Sequence, residues 1–157
     1  MEVKLTEIRI AGSADIAAIN IIARQVHDLH VELRPDIYVC QEEVITEEFF
    51  REVSEKGTVL VGELDGTIIS YAVCFIREWN NPVQTKRKVM FVDAVGCDKK
   101  YRRCGIGTQM MEYIMDYARK ENCDRLELQV MAANEVALEF YGNLKMKTKA
   151  KIMELDL

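Results

Sequence analysis

The sequence contains no apolar run near the ~18 residues that a helical bilayer span needs, which excludes an integral helical membrane protein. Its first residues, Met1-Glu2-Val3-Lys4-Leu5, lack the basic-then-apolar layout of a secretory signal. The five cysteines are scattered, at positions 40, 74, 97, 104 and 123, odd in number and never in a C-x-x-C pair. That usage argues against a disulfide framework or a zinc site and predicts reduced thiols in a cytoplasmic protein. Only two histidines occur, His27 and His30, and no third ligand stands at a sensible spacing, so no metal is expected. Positive charge is in deficit. A formal net charge of -5 argues against nucleic acid as a partner. Linkers, repeats and low-complexity segments are missing too, and 49% apolar with 30% charged residues is a folded composition. The expectation is one domain over residues 1–157.

Against these absences one stretch stands out, Tyr101-Arg102-Arg103-Cys104-Gly105-Ile106-Gly107-Thr108, just before a helix-patterned segment from Met110 to Lys120. Glycines let backbone amides approach a ligand closely, and a helix start leaves further amides unpaired. Such a turn cradles phosphate oxygens, helped by the helix dipole and by Arg102 and Arg103. A dinucleotide fingerprint would need a small residue where Met110 stands. A P-loop would need Gly-Lys-Ser/Thr, which is missing. What fits is R-x-x-G-x-G, from Arg102 to Gly107.

Patterning places the loop within an α/β chain. Lys4 to Ile10 reads as a strand, and Ser13 or Asp15 caps a helix that ends near Leu33, ahead of Pro35. Thr46 opens a second helix closed by Gly57, and Leu64-Asp65-Gly66 joins two strands as a hairpin. Arg87 to Cys97 is a strand leading into the glycine loop. Arg125 to Met131, Asn134 to Asn143 and Met146 to Leu157 follow as strand, helix and final strand. The basic residues Lys145, Lys147, Lys149 and Lys151 alternate with Met146, Thr148, Ala150 and Ile152, as on a solvated strand face.

The R-x-x-G-x-G loop, set between the fourth strand and the third helix, resembles the pyrophosphate motif of the GNAT superfamily of N-acetyltransferases, which bind acetyl-CoA. The resemblance runs strongly from about Val89 to Met146 and is topological before that. It implies a mixed, mostly antiparallel central sheet flanked by helices. It implies that backbone groups at Val95 and Cys97 pair with the pantetheine arm, and that amides from Arg103 to Gly107, through Cys104, Gly105 and Ile106, hold the pyrophosphate. Thr108 would add a hydroxyl. A separate block, Leu126-Glu127-Leu128-Gln129-Val130 followed by Asn134 and Phe140-Tyr141, matches the family's pantetheine-binding asparagine and Phe-Tyr pair. Asn134 and Tyr141 are seven apart and so share a helix face. The family's usual Gly-Phe after that pair is replaced by Lys145-Met146, so either Lys145 carries strain or the turn is rebuilt around Gly142.

Acyl transfer to an amine needs a base for the amine, a polarised carbonyl and a proton for the departing thiolate. Tyr141 is expected to protonate the thiolate, and a backbone amide near Val95 to polarise the thioester. Asp93 is the first candidate base, on the expectation that alternation puts Asp93, Val95 and Cys97 on one face. Glu127 is a second, from the neighbouring strand. His27, His30, Arg34 and Tyr38 concentrate in one segment and are expected to shape the acceptor pocket. The acceptor is read as a primary amine of a small molecule, a peptide or a protein. A non-catalytic acyl-CoA sensor and a purely structural GNAT-like protein stay open beside the enzyme, and a homodimer is a further expectation.

Overall fold

The computed structural model describes all 157 residues. Five strands form one sheet in chain order: β1 (Glu7–Ile10), β2 (Thr58–Leu64), β3 (Thr67–Trp79), β4 (Arg87–Cys97) and β5 (Arg125–Leu128). The first three junctions are antiparallel and β4–β5 is parallel. Two helices, α1 (Ile16–Leu33) and α2 (Glu47–Lys56), precede β2; α3 (Ile106–Lys120) and α4 (Glu135–Asn143) flank β5 in sequence. This is the mixed, mostly antiparallel α/β architecture expected.

Side-chain alternation divides the core into two layers. Leu60, Met90 and Val92 face α3 with Met110 and Ile114, whereas Val59, Val61, Tyr71 and Val73 face α1 and α2 with Ile19, Ile22 and Phe50. Local signals set the element ends. Thr46 caps α2 by accepting from the Phe49 amide at 3.1 Å, which satisfies one orphan donor. Asp65 and Gly66 take φ of 49° and 79°, the left-handed pair that a two-residue hairpin turn between twisted strands requires.

Three expectations about boundaries change. β1 starts at Glu7, not Lys4, because the preceding residues strap the glycine loop: Val3 donates to the Cys104 carbonyl at 2.9 Å and Leu5 donates to Gln109 Oε1 at 2.9 Å. β5 stops at Leu128, short of Met131, because its pairing with β4 ends at Val92↔Leu128. The final strand over Met146–Leu157 does not form. The tail carries no regular element, and Ile152, Met153, Leu155 and Leu157 are exposed. Alternation makes a strand only where a neighbour offers a ladder, and the four-residue β5 offers little. Two ion pairs tether the tail, Lys149 to Glu127 and Glu154 to Arg34.

Candidate active site

β4 continues past its last β5 partner, Val92, to Cys97, so the two strands diverge and leave one edge of Asp93–Cys97 without a neighbouring strand. On its other edge β4 remains laddered to β3, with Ala72↔Val95 and Ser70↔Cys97. The chain then turns through a short 3-10 segment, Lys99–Tyr101, whose start is fixed by Asp98 accepting from the Lys100 amide at 2.9 Å.

The loop that follows is held open by two unusual backbone positions. Arg103 adopts φ of 59° and Gly105, the residue preceding α3, adopts φ of 83°. A left-handed residue before the helix aims successive amides outward. None of the amides from Arg103 to Thr108 finds an acceptor within the chain; the first helical bond is from the Gln109 amide to the Gly105 carbonyl. This run of free donors at a helix start matches a pyrophosphate in charge and in hydrogen-bonding sense. Arg102 lies beside it, its Nε 3.5 Å from the Cys97 carbonyl. Cys104 is half-buried, with Sγ 3.5 Å from the Arg102 carbonyl. Burial pushes the Cys97 thiol up to about 11, and the Asp98 charge adds to that.

Gly107 answers to packing. A Cβ there would lie 3.1 Å from the Phe140 ring, so its absence lets α4 close against α3. That contact brings in the second block. Asn134 caps α4, its Oδ1 accepting from the Ala137 amide at 3.1 Å, while its side-chain NH2 donates to no group of the protein. Tyr141 packs against the α3 layer, its ring 5.1 Å from that of Phe140, and its hydroxyl has no protein partner. Burial pushes the Tyr141 phenol up to about 12, so near neutral pH it holds its proton and can donate it. The turn after α4 is not rebuilt around Gly142. Lys145 takes φ of 65° and donates to the Gly142 carbonyl at 2.9 Å, while Met146 donates to the Tyr141 carbonyl at 3.0 Å. These two bonds form a Schellman motif with lysine at the position glycine favours.

On the opposite face of the sheet the structure corrects the placement of Asp93. The β3–β4 register shifts there: Val73 faces Ala94 but Cys74 faces Val92, which leaves Asp93 as the extra residue of a β-bulge. The bulge turns Asp93 and Ala94 toward the α1–α2 face, whereas Val95 and Cys97 pack on the α3 side. The three therefore do not share a face. Asp93 instead lines a cavity of about 180 Å³ with His27, His30, Tyr71 and the apolar side chains of Val26 and Phe49. Tyr38 closes over the histidines, its ring 5.3 Å from His30 and 6.1 Å from His27. His27 Nε2 lies 2.7 Å from the Val39 carbonyl. Burial, then the His27 charge, holds the His30 imidazole below its ordinary range. Burial, then the Asp93 charge, raises the Tyr71 phenol and leaves it protonated.

Arg34 and Glu127 are not in this cavity. Arg34 is engaged by Asp36 at 2.7 Å and Glu154 at 2.8 Å, and Glu127 by Lys149. Two useful residues escaped the sequence reading. Gln109 clamps the N-terminal segment onto the glycine loop, donating to the Val3 carbonyl at 2.6 Å and accepting from Leu5. Tyr71 reaches the cavity only through the register of β3, which no local pattern discloses. No group of three or more His, Cys, Asp or Glu side chains stands close enough to hold a metal ion, and no helix is long and apolar enough to cross a membrane.

A model of the acetyltransferase (GNAT) family matches residues 23–145, most of the chain. The chain belongs to the GNAT acetyltransferase family. A probable N-acetyltransferase, san, of Drosophila melanogaster is 35% identical over 96 residues, covering 60% of this chain and 50% of that protein. N-alpha-acetyltransferase 50 of Danio rerio is 29% identical over 96 residues, covering 60% and 55%. The chain thus spans about half the length of these curated relatives. Among solved structures, a variant of the Bacillus halodurans protein BH1408 superposes with a TM-score of 0.93 at 31% identity, covering 97% of this chain and all of that one. An aminoglycoside N-acetyltransferase solved with CoA gives 0.69 at 13% identity, covering 96% and 93%, a likeness of fold alone.

Proposed function

We propose that this GNAT chain is a single acetyltransferase domain that moves the acetyl group of acetyl-CoA to a primary amine of a small molecule or peptide. The observation that carries the reading is the row of unpartnered amides from Arg103 to Thr108 opening beside the diverged edge of β4. Those donors fit a pyrophosphate, and the β4 edge at Val95–Cys97 fits an extended amide-bearing arm that adds as a strand does. Acetyl-CoA supplies the activated acyl group as a thioester.

The residues then divide the work. Asp93 takes a proton from the acceptor ammonium, because only a neutral amine has the lone pair to attack. The amine nitrogen attacks the carbonyl carbon, the Val95 backbone amide steadies the developing oxyanion, and the carbon–sulfur bond breaks. Tyr141 gives its proton to the departing thiolate, a role that its unpaired hydroxyl and raised pKa suit, and regains one from the new amide nitrogen, which sheds its second proton to become neutral. Asn134, with its side-chain NH2 free, orients the arm.

A thiol-release assay with acetyl-CoA over a panel of alkyl amines, polyamines, aminoglycosides and peptide N-termini tests the reading. Release with at least one amine is expected. Tight coenzyme binding without release from any amine would leave the non-catalytic sensor as the better description.

A further inference from the structure

We propose that the cavity between α1, α2 and the β4 bulge is an acceptor site for an ammonium group carried on one compact, uncharged apolar body of benzene or branched-alkyl size. The inference rests on the acetyltransferase reading above and names its substrate class.

Volume sets the scale of the part that is buried. The cavity measures about 180 Å³, and an apolar cavity of roughly 150 Å³ holds a benzene-sized guest. Its inner wall is made of Ala23, Ile45, Tyr71 and Val73, all buried, and its outer wall includes the partly exposed Phe49. Eight of its eleven lining residues are hydrophobic, so the guest's body gains by leaving water.

Charge sets the polarity. Asp93 is the one carboxylate on the lining and it is exposed, so it marks the mouth. The guest's ammonium belongs there, beside the β4 edge proposed to receive the thioester, with its apolar body directed inward. A second ammonium directed inward would meet the buried Ala23, Ile45 and Val73 with no carboxylate beside it, and an unpaired charge against such a wall is strongly disfavoured. Polyamines and aminoglycosides are therefore poor fits.

The same chemistry occurs on a free arylalkyl or branched alkyl amine and on the first residue of a peptide, and the test separates the two. Binding of phenethylamine, isoamylamine, a tetrapeptide amide beginning with leucine, spermidine and kanamycin is measured by calorimetry on the full chain with desulfo-CoA present. Thiol release with acetyl-CoA is measured alongside. Phenethylamine, isoamylamine or the leucine peptide should bind at least about tenfold more tightly than spermidine and kanamycin, as a well-filled apolar pocket discriminates. Ala94→Leu, which fills the cavity, should weaken the preferred ligand by about tenfold or more. Phe49→Ala, at an exposed wall position, should shift preference toward a naphthyl-bearing amine and serves if Ala94→Leu does not fold. Tightest binding of spermidine or kanamycin, or affinities unmoved by both substitutions, would overturn the assignment. Binding of phenethylamine without thiol release from any amine would refute the transfer reading and leave the site standing. Release with spermidine alone would do the reverse.

Discussion

The glycine loop and the proposed acceptor cavity are both built on the last residues of β4, yet the chain makes them by different means. The loop is continuous: Arg103 to Thr108 supplies its donors, and its shape comes from backbone angles at Arg103 and Gly105. The cavity is discontinuous. Its walls come from α1, the segment before α2, α2 itself, β3 and the bulge at Asp93. A local site depends on backbone conformation and a remote one on packing and register. Substitutions on the donor side should therefore change coenzyme binding or turnover through geometry, whereas those on the acceptor side, Asp93 apart, should change which amine is used.

The largest expected effect is at Tyr141. Tyr141→Phe should lower turnover by about a hundredfold or more while leaving acetyl-CoA affinity within about twofold, the signature of lost acid catalysis. Unchanged turnover would remove the tyrosine from the chemistry. Asp93→Asn comes next. It should depress turnover by about a hundredfold at neutral pH while leaving acetyl-CoA affinity within about twofold. Wild-type turnover in that variant would eliminate Asp93 as base.

Packing beneath the loop gives a smaller effect. Gly107→Val would drive a methyl into the Phe140 ring, where even a Cβ meets it at 3.1 Å, and should cost about 1–3 kcal/mol of stability in denaturant melts. Coenzyme affinity should fall with it, because α4 carries Asn134 and Tyr141. A stable variant with normal affinity would show that α4 and the loop are independent.

On the acceptor side, His30 supplies a pH signature. Its folded-state pKa lies below its ordinary 6.5, so the unfolded chain takes up the proton first as pH falls. The contribution is intact above about pH 6.5 and is lost as pH drops from there through the lowered folded value. His30→Gln should flatten the stability curve in that window, and an unchanged slope would show that His30 is solvated. The smallest effect is at Lys145. Lys145→Gly should stabilise by about 0.5–1 kcal/mol, because the left-handed φ of 65° strains a side-chain-bearing residue. Destabilisation would mean that the lysine side chain contributes more than its backbone loses.

The same contrast explains what could be read in the sequence. The backbone turn from Arg102 to Thr108 and the Asn134 cap are legible because each depends on neighbours close in the chain, whereas the roles proposed for Asn134 and Tyr141 come from the family resemblance. Helix ends at Thr46 and Pro35 and the Asp65-Gly66 turn are legible for the same reason. The bulge at Asp93 is invisible locally, since it is a mismatch between two strands, and it reversed the face expected for that carboxylate. The tail from Met146 onward shows the opposite limit: its alternation is that of a strand, but a ladder needs a partner that the sequence does not name. Arg34 looked available for a substrate until folding brought Glu154 to it from 120 positions away.

The central claim is that the amides of Arg103–Thr108 form the coenzyme cradle, and amide chemical shifts recorded during titration with CoA test it most directly. The account predicts that the largest shifts cluster on Arg103 to Thr108 and extend to Val95, Cys97 and the Asn134 side-chain amide. Saturation binding that leaves those amides in place, or no binding at millimolar CoA, would contradict it.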